Sequence, residues 1–296
     1  MTVIHYQDML KGLSVRDAMR RQVISLPRAG ALSQAINLTI KYKVNALLIT
    51  DENQEGQGVV SKTDLMGAYY AGLPLDTPAE SIMTGPPLFC GADESLDAAL
   101  ETMRTLRIHR LYVQADKPGR AQGVLAYPDI VGLLYRFCHK CDRSLFRLKE
   151  ERGMGLADNF RVREVMTAVI HAQDADDSLS AVMEGLAAQR LGAVLIREAE
   201  GEPLGVVSKT DLMNAYRHGV PVETTARAVM TGPVQACDQE DWLAWALQKM
   251  IFFDLHRLFV WKDDPKNLVG VLSLSDTARF RSGTCRACLT SRIKVG

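Results

Sequence analysis

The sequence predicts an α+β fold of four β-α-β-β-α units, paired into two copies of one pseudo-symmetric module. Three observations lead there. First, the nine residues Gly58 to Met66 (GVVSKTDLM) recur unchanged as Gly205 to Met213, an offset of 147 positions. The same offset relates Met83-Thr84-Gly85-Pro86 to Met230-Thr231-Gly232-Pro233, and His109-Arg110-Leu111 to His256-Arg257-Leu258. Second, each module repeats weakly within itself. Asp64 and Asp129 follow Gly58 and Gly123 by six residues, and Asp211 and Asp276 follow Gly205 and Gly270 in the same way. Third, each quarter shows helical and then extended patterning in one order.

Within a quarter, a Met-ended segment leads to an extended stretch, an amphipathic helix, two apolar strands and a final helix. The helix is clearest in the even quarters. Leu96, Ala99, Leu100 and Met103 fall at i, i+3, i+4 and i+7, as do Leu243, Ala246, Leu247 and Met250, and both stripes read as core. Ala46 to Ile49 and Leu111 to Val113 read as short apolar strands. Turn residues such as Asp51-Glu52-Asn53 and Lys117-Pro118-Gly119 separate each from the next strand. The expected units span residues 1–72, 73–137, 161–219 and 220–280. A joining segment, 138–160, and a tail, 281–296, each carry a Cys-x-x-Cys motif.

Composition narrows the function classes. With 47% hydrophobic residues in 296, the chain can bury a substantial core, and its length favours two domains. Thirty-five basic and thirty-five acidic residues cancel, so no global field gathers nucleic acid or anionic membrane, and phosphate binding must be local. Apolar runs such as Leu268 to Leu272 are far shorter than the roughly 20 residues that span a bilayer. Met1 to Leu10 carries His5 and Asp8 and does not read as a secretory signal. A cytoplasmic, reducing setting is the expectation, so the six cysteines read as thiols or metal ligands.

The unit order, the unit length and the ending Gly-apolar-apolar-Ser-x-x-Asp-Leu resemble the CBS motif, named for cystathionine β-synthase. Two such motifs pair into a Bateman module. The resemblance covers nearly the whole chain, apart from the joining segment and the tail. It implies clefts between paired motifs that bind AMP, ADP, ATP or related adenosyl ligands, and a chain that transmits ligand occupancy to a regulated partner protein. The four-motif form looks like the gamma subunit of AMP-activated protein kinase. No Ser-His-Asp order, Walker loop or paired-acid motif stands out, so no enzyme is expected.

The Ser-x-x-Asp endings are candidate ligand sites: Ser61 with Asp64, Ser208 with Asp211, and Ser273 with Asp276. A carboxylate accepts hydrogen bonds from vicinal ribose hydroxyls, and a serine hydroxyl serves ribose or phosphate. The same spacing is also a helix cap, worth about 1 kcal/mol without any ligand. Quarter two departs from the pattern, because Ala126 stands three residues before Asp129 and only the ribose acid is retained. His109-Arg110 and His256-Arg257 stand just before strands. Arginine offers a fork of donors to phosphate oxygens and imidazole adds one or two, although a helix-ending His beside an exposed Arg is the plainer reading. The odd quarters have Asn45-Ala46 and Gly192-Ala193 there, so the clefts should differ in ligand chemistry.

The cysteines follow the same offset. Cys138 and Cys141 match Cys285 and Cys288, two thiolate pairs that together would supply a tetrahedral zinc site. Unmetallated thiols and redox exchange remain the other readings of the same spacing. Cys90 and Cys237 sit in apolar stretches and read as core. Basic residues flank both Cys-x-x-Cys motifs, a solvated face in the plainer reading. Two alternatives stand beside the adenosyl-ligand sensor: a zinc-stapled interaction protein with empty clefts, and a nucleic-acid binder using the basic cysteine ends. Self-association as a homodimer is left open.

Overall fold

The computed structural model describes residues 12–133, 161–199 and 201–281. Each quarter contributes one three-stranded sheet. They are β1 (Ser25–Pro27), β2 (Ala46–Thr50) and β3 (Gly56–Ser61); β4 (Phe89–Cys90), β5 (Arg110–Gln114) and β6 (Ala121–Ala126). The second half repeats them as β7 (Ala172–Asp174), β8 (Ala193–Arg197) and β9 (Pro203–Ser208), then β10 (Ala236–Asp238), β11 (Arg257–Lys262) and β12 (Asp264–Ser273). In every sheet the first two strands are parallel and the last two antiparallel, in chain order. A helix makes the parallel crossover and a tight turn makes the hairpin.

The helices follow from patterning and capping. The short α1 (Val15–Ala18) opens the first unit. The crossover helices are α2 (Leu32–Lys41), α4 (Leu96–Thr105), α6 (Leu179–Ala188) and α8 (Leu243–Phe252). The stripes predicted for α4 and α8 are buried without exception. The closing helices are α3 (Lys62–Tyr70), α5 (residues 127–133), α7 (Lys209–Arg217) and α9 (Leu274–Arg281). The α+β architecture of four like units is therefore as the sequence predicts. One boundary differs, since Arg110 and Arg257 are the first residues of β5 and β11 and do not precede them.

Paired units interlock. The opening segment of the first unit packs on the second: Val15 and Arg16 donate their N–H groups to the Glu94 and Ala92 carbonyls, and Val15 lies in the core with Leu96. The opening segment of the second unit returns the exchange, with Ala79 N–H on the Gly30 carbonyl and Leu32 N–H on that of Thr77. Met83-Thr84 then pairs along β3 through Thr84 and Val59. This close passage explains the glycine that opens each ending. A Cβ on Gly58 would meet Met83 Sδ at 2.8 Å, and one on Gly205 would meet the Thr231 carbonyl oxygen at 2.8 Å. Only glycine fits there without a shift.

The two modules pack through helices. One core joins the first and third units, from Leu32 and Leu65 to Leu179 and Leu212, and another joins the second and fourth, from Leu96 and Leu100 to Leu243 and Leu247. Tyr69 and Tyr216 stack with ring centroids 4.8 Å apart. Each tyrosine hydroxyl donates to a backbone carbonyl of the opposite module, Tyr69 to Val220 and Tyr216 to Leu73. These partners obey the repeat offset, as a two-fold-like isologous contact requires. Cys90 and Cys237 are buried thiols, pushed up to about 11 and about 12 by loss of water.

Candidate functional site

Three of the four closing helices, α3, α7 and α9, begin on their own Ser-x-x-Asp. Ser61 Oγ accepts from the Thr63 and Asp64 N–H groups, while Asp64 Oδ2 accepts from Ser61 N at 2.7 Å and Ser61 Oγ at 2.7 Å. Ser208 and Asp211 repeat this arrangement on α7, and Ser273 and Asp276 do so on α9. The capping reading of the motif is therefore realised in the structure. It consumes one carboxylate oxygen and leaves the other, so capping and ligand binding are compatible on one side chain.

The acids differ in what their second oxygen does. Asp64 Oδ1 and Asp276 Oδ1 accept no hydrogen bond from the described residues. Asp211 Oδ1 accepts from Thr231 Oγ1 at 3.1 Å. Asp129 is the most engaged: Oδ2 accepts the Ala126 N–H at 2.9 Å, and Oδ1 pairs with Arg20 Nε at 2.6 Å. Burial raises the Asp129 pKa and the Arg20 charge opposes that rise. Quarter two thus keeps the backbone half of the cap that the other quarters also make, lacks the serine hydroxyl, and has an arginine on the remaining oxygen. Arg20 was not singled out in the sequence. It stands immediately after the Met-ended segment, at the position held by Thr167 in the second module, and that lost equivalence was the available signal.

Strand register brings the arginines to the serines. Ala46 lies opposite Ser61 in the β2-β3 hairpin, and Arg110 Nη1 donates to the Ala46 carbonyl at 2.8 Å. In the second module Ala193 lies opposite Ser208, and Arg257 Nη1 donates to the Ala193 carbonyl at 3.0 Å. Each even unit therefore extends a guanidinium across the cleft to the capped helix start of its odd partner. One N–H is spent on the carbonyl, and burial lowers both arginine pKa values. Gly192 makes room in the second module, where a Cβ would lie 2.4 Å from Arg257 Nη2. The opposite faces are acidic, with Asp129 near Arg110 and Asp276 near Arg257.

The histidines have different surroundings. His109 packs edge-on against the Tyr127 ring at 5.7 Å. His256 is held below its ordinary pKa, first by burial and then by Lys62, with Asp254 opposing. It is therefore neutral near pH 7 and can donate one N–H. Lys62 and Lys209 belong to the same neighbourhood and were passed over in the sequence. Lys62 is only 7% exposed, and burial pulls its pKa from 10.5 to about 8 against the attraction of Asp211. Burial lowers Lys209 as well. Cys138, Cys141, Cys285 and Cys288, with the proposed zinc site, lie outside the described residues. Among the described residues no group of three or more His, Cys, Asp or Glu could hold a metal, and no helix is long and apolar enough to cross a membrane.

A protein-family model described as the CBS domain matches residues 15–71, 79–136, 162–218 and 226–283. The chain belongs to the CBS-domain family. Its four CBS motifs correspond to the four sheets, and a Ser-x-x-Asp ending closes three of them, with Ala126-x-x-Asp129 closing the second. Protein MJ1225 of Methanocaldococcus jannaschii, described as a candidate archaeal homolog of g-AMPK, shares this fold. It has a TM-score of 0.74 and 14% identity, over 90% of this CBS chain and 98% of that one. An uncharacterized conserved protein of Pyrococcus horikoshii matches with a TM-score of 0.59 and 14% identity, over 91% and 100% of the two chains. Inosine-5'-monophosphate dehydrogenase of Aquifex aeolicus (strain VF5) is 25% identical over 128 residues, which is 43% of this chain and 25% of the enzyme. The chain thus spans a quarter of the length of that curated relative.

Proposed function

We propose that this CBS-domain protein is a non-catalytic regulatory sensor, acting in the cytoplasm, that binds adenosine nucleotides or related adenosyl ligands between paired motifs and passes occupancy to a regulated partner. One observation carries the reading. In both modules an arginine from the even motif crosses to the carbonyl opposite the capping serine, with the carboxylate of its own motif, Asp129 or Asp276, close to it. That arrangement supplies the two groups a nucleotide needs, an anionic acceptor for ribose hydroxyls and a cationic fork for phosphate. Asp64 and Asp276, whose Oδ1 accepts no hydrogen bond from the described residues, are the strongest ribose acceptors in this reading. Asp211 competes with Thr231, and Asp129 must first give up Arg20.

Calorimetry of the full chain with AMP, ATP, adenosine and S-adenosylmethionine tests it. AMP should bind more tightly than adenosine, and Asp64→Ala with Asp211→Ala should weaken both. Since these acids also cap α3 and α7, ligand-free thermal unfolding separates loss of binding from the roughly 1 kcal/mol lost per cap. Unchanged binding in the double variant would leave the carboxylates as caps alone.

A further inference from the structure

The crossover helices α4 and α8 occupy equivalent places, 147 positions apart, and bury the same stripe in one core. Their outer faces differ. On α4, Ala98, Glu101 and Thr105 face away from that stripe, and Glu101 pairs with Arg104, an ordinary solvated helix surface. On α8 the matching positions are Trp245, Gln248 and Phe252, and Arg104 is matched by Ile251. Trp245 is 59% exposed and Phe252 69%, and the capping residue Phe253, 70% exposed, extends the strip past the helix end. Lys249 is the one charged residue of α8, and it turns its ammonium back to the Ala236 carbonyl at 2.7 Å. The outward stripe is therefore neutral and largely aromatic. The first module shows that the fold does not need it, since the same helix forms there with alanine and threonine in place of Trp245 and Phe252. Single apolar side chains scattered over a surface need no explanation, whereas a contiguous aromatic strip marks a contact.

We infer that α8 pairs with α8 of a second copy of this chain, antiparallel across a two-fold axis. The stripe is self-complementary, as such a contact requires. Trp245 and Phe252 stand seven residues apart on one face, about 10 Å along the helix, so an antiparallel copy sets Trp245 of each chain against Phe252 of the other. The midpoint falls at Gln248 and Lys249. With Lys249 turned inward, the Gln248 amide meets its own copy, where it donates and accepts at once. The area also suits a second copy. At roughly 150–250 Å² per buried aromatic side chain, the exposed fractions of Trp245, Phe252 and Phe253 leave on the order of 400 Å² to cover on each chain. A pair covers about 800 Å² through the rings alone, and Ile251 and Gln248 at the rim bring it to the roughly 1,000 Å² at which specific interfaces begin. The dimer is accordingly weak and assembles as concentration rises. None of this depends on what the clefts bind.

Sedimentation velocity of the full chain over a wide range of concentration tests the pairing. The mass should rise from one chain to two as concentration increases. Trp245→Ala and Phe252→Thr, which install the first module's own residues, should each weaken association by about tenfold or more. Their thermal unfolding when dilute should match the parent's, because α4 already folds with those residues. Gln248→Glu and Gln248→Arg should each dissociate the dimer by setting like charges across the axis, and an equimolar mixture of the two should restore it. A single-chain mass at every concentration hands this face to some other occupant and overturns the inference. A dimer that survives the Trp245→Ala, Phe252→Thr double variant places the contact elsewhere and overturns it too. So does a mixture of the Gln248 variants that stays dissociated, since the antiparallel register demands the rescue.

Discussion

Replacing Lys62 with methionine should make the ligand-free protein more stable near pH 7, and the gain should disappear in alkali. Lys62 is 7% exposed, and its pKa falls from the ordinary 10.5 to about 8, with burial as the largest cause. At about 1.36 kcal/mol per unit, that shift corresponds to roughly 3 kcal/mol of unfavourable burial while the ammonium is charged. The direction follows from proton counting. Between about 8 and 10.5 the unfolded chain holds more protons than the folded one, so the parent gains stability as pH rises through that window. Below it, the full penalty applies. Methionine carries no charge at any pH and fills a similar volume, but it gives up the bond to Thr210, worth about 1 kcal/mol. The variant should therefore exceed the parent by about 2 kcal/mol near neutral pH and lose that advantage by about pH 10.5. Urea unfolding of both proteins across this range, read as their difference, cancels the titration of every other group. A difference that stays flat with pH, or a variant less stable at neutral pH, would show that Lys62 carries no burial penalty.

Two further outcomes test the packing around the clefts. Arg20→Ala should destabilise the protein by about 2 kcal/mol near pH 7, because it strands the buried Asp129 carboxylate; the usual cost of breaking a buried pair is discounted because Arg20 is 42% exposed. Adding Asp129→Asn should recover part of that loss, and a double-mutant cycle showing no coupling refutes the pair. Gly205→Ala should cost about 1–3 kcal/mol, since its Cβ would meet the Thr231 carbonyl oxygen at 2.8 Å and backbone must move. An unchanged urea midpoint in that variant would mean that the Met230-Thr231 segment yields freely.

Much of the fold was legible because duplication wrote it twice. The offset of 147 positions aligns Leu96 with Leu243 and Ser61 with Ser208, and the structure places each pair in equivalent elements. The crossover helices were readable from their stripes, which face a single core in each unit. What local pattern could not supply was the exchange between units. Nothing near Val15 says that it packs with Leu96, and nothing near Arg20 says that it meets Asp129, because those contacts depend on how paired sheets face one another. The candidate site was legible to the same depth. Ser61, Asp64 and Arg110 could be named from motif positions, while their approach through the Ala46 carbonyl required the strand register.

Lys62 marks the limit of sequence reading most clearly, and the reason is physical. A lysine just after a helix cap ordinarily extends its charge into water, so the local sequence assigns it a solvated role. Its burial comes from α3 lying on α7, a contact made only when the second module is in place. The identical Lys209 is subject to the same geometry from the other side, so one substitution in the ancestral module would have placed two cations at a single boundary. A fold under selection for stability alone would replace such residues with methionine or leucine. Both copies nonetheless keep the lysine, each ammonium held by a threonine hydroxyl of the opposite module and drawn by an acid there, Asp211 for Lys62 and Asp64 for Lys209.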